Sequence, residues 1–240
     1  MDTTKDFKMD EIQAIEARHS VRRFTKKPVE GSVRKQLEDA VCQANEEAGL
    51  HIQLVCDEPN AFTSLLARYG KFDKVENYIA LVGPKSRDLD ELCGYFGERL
   101  VLLAQRLGLN TCWVGGTFSR RKTACEIAKG EKLVAVIALG YGISDGVSSK
   151  SKMLSELCNT HGLAMPDWFK RGMEAAMLAP TALNQQHFIF TLGRDREEVI
   201  CQSTGGPFSN VDLGIVEYHF EVASGHKVSG SAVERLRSRG

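Results

Sequence analysis

The chain has 240 residues, with 31 Lys plus Arg balanced by 31 Asp plus Glu, and 42% of its residues are apolar. That length supports one large domain or two small ones with a real hydrophobic core. The zero formal charge argues against a dedicated nucleic-acid binder, which carries a basic excess, and no apolar run approaches the roughly 18 residues that a membrane span needs.

The opening stretch, 1–8, holds no apolar segment of the kind a signal peptide uses. Seven scattered cysteines (42, 56, 93, 112, 125, 158, 201) form no C-x-x-C pair, a spacing that suits neither a zinc site nor a disulfide scaffold. The expectation is a cytoplasmic protein, outside the membrane, whose cysteines are small buried apolar residues.

Along the chain, Ile12 and Ile15 predict a short helix leading into Arg18-His-Ser-Val-Arg-Arg-Phe24. Val33, Leu37, Ala40, Val41 and Ala44 recur at helical spacing; an acidic turn over 43–49 and a strand over 51–55 follow. A second strand spans 78–82, bounded by Gly83-Pro84. Residues 89–107 form the strongest helical stripe, with Leu92, Phe96, Leu100, Leu103 and Leu107 on one face and Gly108 as its stop. Thr111-Cys-Trp-Val-Gly-Gly116 reads as an apolar turn. Ser119 is placed to cap a helix over 119–129, and 132–139 is an unbroken apolar strand of the kind found at a sheet's centre. The Gly- and Ser-rich stretch 143–152 reads as a linker.

In the second half a helical pattern through Met173 stops at Pro180, a polar turn with Thr181, Asn184 and Gln186 follows, and an apolar run resumes at Phe188. Residues 211–220 form a further helix. The tail, 229–240, with Arg235, Arg237 and Arg239, is expected to be mobile, with one arginine in reach of a phosphate. Sliding the sequence by 136 residues aligns Glu38 with Glu174, Ala40 with Ala176 and His51 with His187. Both windows read as helix, turn and strand, which leaves a duplication open.

Three clusters could carry chemistry. Arg18, His19, Ser20 and Arg22 gather potential cations and a hydroxyl within five residues, donors that suit phosphate oxygens; a solvated basic turn is the plainer reading. The amides of Asn184 and Gln186 could meet a heterocycle with carbonyl and imide edges, or belong to a polar loop bonding its own backbone. Gly115-Gly116 lets backbone N–H groups approach a flat ligand, or is a simple turn. Gly140-Tyr-Gly142-Ile-Ser-Asp145 nearly matches a dinucleotide fingerprint, but no amphipathic helix follows it. The six histidines give no metal spacing, and His187 and His219 are read as structural.

Taken together, these pieces resemble the FMN-dependent nitroreductase family. Arg18-His-Ser-Val-Arg-Arg-Phe24 matches its R-x-S-x-R-x-F phosphate grip. Leu107-Gly-Leu-Asn-Thr-Cys-Trp-Val-Gly-Gly116 is similar to its L-G-L-G-T-C-W-I-G segment, and Ala179-Pro-Thr-Ala-Leu-Asn-Gln-Gln186 to its A-P-S-A-x-N-x-Q turn. The grip and the turn stand 164 residues apart, at Ser20 and Asn184, whereas typical members separate them by a few tens. In that family two identical chains form an intertwined dimer, and each flavin site takes its grip from one chain and its turn from the other.

The resemblance therefore implies an α+β, nitroreductase-like fold with mostly antiparallel sheets flanked by helices and two similar lobes in one chain. The first lobe, 1–145, would supply the grip and the Gly-Gly loop; the second, shorter lobe, 151–240, would supply the turn. It also implies one FMN per chain, because 43–49 lacks the polar turn and the second lobe lacks a grip. Arg18, His19, Ser20, Arg22, Val114, Gly115, Gly116, Pro180, Thr181, Ala182, Asn184 and Gln186 would bind it. The flavin would carry the chemistry with no catalytic side chain, passing electrons from NADH or NADPH to a small acceptor such as a nitroaromatic or quinone. A monomer with an internal pseudo-dimer, and no nucleic acid or metal, is expected. The competing expectation is a non-catalytic flavin-binding protein.

Overall fold

The computed structural model of the chain describes residues 9–238, apart from the side chain of Leu66. Helix α1 (Glu11–Ala17) opens on a reciprocal cap in which Asp10 accepts from the Gln13 N–H at 2.8 Å and Gln13 accepts from the Asp10 N–H at 2.9 Å. Two of the first turn's free donors are thereby satisfied. Helix α2 (Gly31–Ala48) buries Leu37, Val41, Ala44 and Ala48 and stops at Gly49, in the left-handed conformation at φ +63°, where a glycine carries no Cβ penalty. The helix thus runs through the stretch expected to be an acidic turn. Its Asn45 amide donates to the Ile52 carbonyl at 2.8 Å and accepts from the Ile52 N–H at 2.7 Å. With both Ile52 backbone groups taken, the expected 51–55 strand shortens to β1 (Gln53–Val55).

After a short helix, α3 (Leu65–Tyr69), come β2 (Asn77–Pro84), the long helix α4 (Leu89–Arg106), β3 (Asn110–Val114) and β4 (Glu131–Gly140). The sheet order is β1-β2-β4-β3, with every neighbouring pair antiparallel. β2 and β4 are its inner strands and are buried along nearly their whole length, which accounts for their unbroken apolar runs.

Two expectations fail here. Residues 110–114 are an edge strand rather than a turn, because Thr111, Trp113 and Val114, all good strand formers, pair in register with Leu139, Ile137 and Val136. The expected 119–129 helix is only a 3₁₀ turn, Arg120–Lys122. Beyond it the backbone donors are claimed from outside: Ala124 by the Tyr78 hydroxyl (2.8 Å), Glu126 by the Gln53 side chain (2.8 Å) and Ala128 by the Glu131 carboxylate (2.7 Å). Those partners replace the ladder a helix would need.

In the second half, α5 (Leu154–Leu157) and β5 (Cys158–Asn159) precede α6 (Asp167–Ala176), β6 (Phe188–Leu192), β7 (Val199–Ser203) and α7 (Ser209–Ser224). β5 runs parallel to β6, and β6 antiparallel to β7. Apart from α3, which lies in the connection between β1 and β2, the order helix, strand, strand, helix occurs twice, as α2-β1-β2-α4 and α6-β6-β7-α7. The connection between the paired strands is long in the first copy, 56–76, and short in the second, 193–198.

α4 and α7 make the most extensive helix–helix contact in the chain, and their crossing is reciprocal. A Cβ at Gly94 would overlap the Val211 carbonyl oxygen and press on the Ile215 nitrogen; a Cβ at Gly214 would overlap the Glu91 carbonyl oxygen and press on the Tyr95 nitrogen. Each α7 residue in this set is its α4 counterpart displaced by 120 positions (91 to 211, 94 to 214, 95 to 215). Residue i meeting j while j meets i is the signature of a two-fold interface, here within one chain. One hydrophobic cluster runs through both halves, from Leu37 and Leu81 to Phe169, Phe190 and Phe220; a second, with Phe24, Phe62, Tyr78 and Val136, lies against the sheet.

The C-terminal stretch is not loose. Ser231 caps α8 (Ala232–Arg237), and Ala232 and Val233 are buried. Arg235 reaches Asp88 at 2.6 Å and Glu91 at 3.7 Å, while Arg237 reaches the Tyr95 hydroxyl at 3.3 Å and Glu221 at 3.8 Å. These cations answer a buried acidic group that includes Glu217, whose carboxyl is pushed well above its usual range by burial and then by Glu91 and Glu221. Arg235 and Arg237 are therefore committed to α4 and α7 rather than to a phosphate; Arg239 lies outside the described residues. The cysteine expectation holds in part, since all seven are free and Cys93 and Cys112 are buried, but Cys42 is exposed. Among the described residues no helix is long and apolar enough to cross a membrane.

Because each glycine at the crossing faces a backbone carbonyl rather than a movable side chain, Gly94→Ala and Gly214→Ala should each lower the unfolding free energy by about 2 kcal/mol or more. Once one Cβ has separated the helices the second should cost less, so chemical denaturation of the double variant should show less than the sum.

Candidate functional site

The R-x-S-x-R segment leaves the end of α1 and lies along β3. Ser20 bridges Thr111, and the Val21 N–H donates to the Thr111 carbonyl at 2.9 Å. The grip is thus carried to the strand that ends in Gly115-Gly116. Arg18 turns inward and is 7% exposed; its Nη2 donates to the Leu178 carbonyl at 3.4 Å, and its Nε lies 3.9 Å from Glu98 Oε1 without a hydrogen bond. Burial lowers the Arg18 pKa, with Glu98 and Cys112 opposing. Arg22 is exposed and has no ion-pair partner among the described residues, whereas Arg23 is held by Asp73 at 3.8 Å. The Cys112 thiol, beneath this segment, is pushed up by burial and drawn back by Arg22, Arg18 and Ser20.

Glu98, on α4, anchors Arg18. It is fully buried and accepts from Trp113 Nε1 at 2.7 Å and from His219 Nε2 at 2.9 Å. The other His219 nitrogen, Nδ1, lies 3.0 Å from the Ala175 carbonyl. His219 is structural, as its place in the sequence suggested.

The polar turn is built from its own backbone and from α7. Thr181 Oγ1 accepts from the Gln186 N–H at 3.1 Å, and the Asn184 N–H donates to the Thr181 carbonyl at 2.9 Å. Leu183, Asn184 and Gln186 all take positive φ (+51°, +55° and +48°). Asp212, in the first turn of α7, accepts from the Ala182 N–H at 2.9 Å. Asn184 is exposed, and its Nδ2 donates to the Lys150 carbonyl at 2.6 Å. Its Oδ1 meets no donor among the described residues.

Gln186 departs from its expected role. It is 1% exposed; its Oε1 accepts from the Lys152 N–H at 2.7 Å, and its Nε2 donates to the Met177 carbonyl at 3.0 Å and the Ser151 hydroxyl at 3.3 Å. A saturated, buried amide locks the turn to the connecting segment and leaves nothing for a ligand. That segment, 143–152, is correspondingly less a free linker than a strap.

Four contacts draw the pieces together. Arg18 reaches Leu178, just before Pro180; His19 packs on Gly146, in the strap that also holds Asn184; Phe208, at the start of α7, lays its ring against Gly115; and Asp212, four residues on, holds Ala182. Pro180 and Ala182 are half-buried, Thr181 and Val114 are buried, and Gly116 is exposed with open space where a Cβ would stand. Glu98, Phe208 and Asp212 were not singled out in the sequence. A glutamate on the buried stripe of α4 was a readable sign; nothing local marks the other two.

The family model described as "Putative TM nitroreductase" matches residues 10–224. The chain belongs to that family. A crystal structure of a putative nitroreductase from Thermotoga maritima matches 93% of this chain and 88% of its own, at 22% identity and a TM-score of 0.64. A putative nitroreductase from Desulfovibrio desulfuricans, solved with FMN, matches 62% of this chain and 95% of its own, at 19% identity and a TM-score of 0.49. The likeness to the Thermotoga structure is one of fold: α+β, with antiparallel sheets and flanking helices, the nitroreductase architecture expected from the motifs. Curated protein sequences give no match.

Two predictions follow from the anchors of this site. Glu98→Ala strands the donors of Trp113 and His219 and the charge of Arg18, and should cost about 3–5 kcal/mol of unfolding free energy. Burial, partly offset by the Ala182 N–H, raises the Asp212 carboxyl from 3.8 to about 7. Between those values the folded chain holds a proton that the unfolded chain releases, so this group's stabilisation is present at low pH and is lost as pH rises through about 7. Asp212→Asn, which cannot ionise and resembles the neutral acid, should therefore lie near wild type in stability at about pH 4 and gain on it as the pH rises to about 8, read by urea denaturation at both.

Proposed function

We propose that this chain is an FMN-dependent oxidoreductase of nitroreductase type, taking electrons from NAD(P)H and passing them to a small acceptor such as a nitroaromatic or quinone. The observation that carries the reading is the convergence of the first half's grip and glycine pair with the second half's turn, through Arg18–Leu178 and Gly115–Phe208. The residues fit the cofactor. Among the described residues Arg22 has no ion-pair partner, and Ser20 is an adjacent hydroxyl, both suited to phosphate oxygens; the buried charge of Arg18, whose Nε makes no hydrogen bond, lies behind them. Gly116 leaves its backbone open to a flat ring. Asn184 Oδ1 offers an acceptor suited to a ring N–H, with Thr181 and Ala182 shaping the same edge. His19, Val114, Gly115 and Pro180 complete the walls.

Bound FMN would supply the redox chemistry. The chain neutralises charge, orients the ring and limits water at its face. The two lobes, 1–145 and 151–240, stand for the two subunits of an ordinary nitroreductase dimer. The reciprocal α4–α7 crossing supports this, as does the repeated element order. The sequence offset also supports it, falling from 136 at His51/His187 to 120 at Gly94/Gly214 across the stretch where 56–76 is answered by the shorter 193–198. A monomer with a single site is the corresponding assembly, because α2 continues through 43–49, where a second turn would stand.

The test is the visible spectrum of the purified chain with released FMN quantified against protein. One FMN per chain is expected, with anaerobic bleaching by NADH or NADPH and reoxidation by a naphthoquinone. A coloured chain that neither nicotinamide bleaches would instead be a non-catalytic flavin binder. Arg22→Ala should weaken FMN binding by about 1.5–3 kcal/mol, the range for a hydrogen bond to a charged group, in a fluorescence titration.

A further inference from the structure

Strand β3 ends at Val114, which faces Val136 of β4. In that register a longer β3 would set Gly115 and Gly116 opposite Ala135 and Val134. Instead the glycine pair leaves the sheet, and the carbonyls at the start of β4 need another donor. On the far side the register with β2 slips at the same place. Leu81 faces Ala135 and Val82 faces Leu133, so Val134 is skipped. Arg120 fills the gap. Its Nη1 donates to the Leu133 carbonyl at 2.5 Å, and its Nη2 donates to the carbonyls of Val134 at 3.0 Å and Gly115 at 3.4 Å. Phe118, buried two residues earlier, steers the side chain there, with the guanidinium 5.2 Å from the centre of its ring. One planar fork thus ties the start of β4 to the first glycine of the pair.

We propose that Arg120 is a positioning residue: its fork stands in for the missing length of β3 and so holds the Gly115–Gly116 backbone where the flavin ring is received. This rests on the FMN reading of the site. Arg120→Ala and Arg120→Lys would be compared with wild type in two measurements on the apoprotein. One is amide hydrogen exchange over 114–118; the other is fluorescence titration with FMN and with riboflavin, which lacks the phosphate. Exchange over 114–118 should quicken about tenfold in both variants. The Kd values of FMN and riboflavin should rise together, each about tenfold. Lysine keeps the charge, but one ammonium does not span three carbonyls, so this variant should follow alanine rather than wild type. Arg22→Ala, a change at the phosphate end, should weaken FMN alone. A general loosening of the site would disturb the phosphate grip as well and weaken FMN more than riboflavin; that result overturns the proposal. Unmoved exchange, an unmoved riboflavin Kd, or a lysine variant that matches wild type each overturns it too. If wild type takes up neither flavin, the FMN reading beneath the proposal fails, and the exchange result still shows whether Arg120 holds the glycine pair.

Discussion

A carboxylate without access to water cannot stand alone, and Glu98 is fully buried. Isolated, it would carry a desolvation penalty of several kcal/mol. It is answered by Trp113 from β3, His219 from α7 and, more distantly, Arg18 from the end of α1. Through His219 the connection continues to the Ala175 carbonyl of α6. One charge therefore ties together segments from both halves, and the arginine it steadies belongs to the segment that begins the candidate site. Weakening the anchor would loosen the fold and the R-x-S-x-R segment together.

The close approach of α4 and α7 makes that anchor possible. Without side chains at Gly94 and Gly214 the helix backbones meet almost directly, which brings His219 within hydrogen-bonding reach of Glu98 one turn beyond. The same approach fixes where α7 begins, and α7 begins with Phe208 and Asp212, which meet the glycine pair and the polar turn. Position in the site follows from backbone contact at the crossing rather than from loop conformation.

Much of this was legible in the sequence. Helix α4, strands β2 and β4 and the three motifs could be read because each depends on local spacing: an apolar stripe, an unbroken apolar run, a fixed order of polar residues. The failures share a cause in partners far along the chain. The 119–129 segment is held by Tyr78, Gln53 and Glu131; β1 is shortened by Asn45; the tail is ordered by Asp88, Glu91 and Glu221. Gln186 has the same cause: an amide that looks available in sequence is consumed by Met177, Ser151 and Lys152. Phe208 and Asp212 acquire meaning only through Gly115 and Ala182, and no local pattern encodes those distances.

The crossing also bears on how such a chain can change. Where two copies of one polypeptide cross, a single codon change is felt on both sides of the interface. Gly94 and Gly214 are separate codons, so a change is felt once and the other side can be retained. The neighbouring positions differ in this way: at the same displacement of 120, Glu98 and Arg99 on α4 correspond to Tyr218 and His219 on α7. The first side keeps the Glu98–His219 pair that leads to Arg18, while on the other Tyr218 bonds Glu11 at 2.5 Å and Arg99 bonds Glu47 at 2.7 Å. Within one reading frame the two faces of the crossing can differ, and here they do.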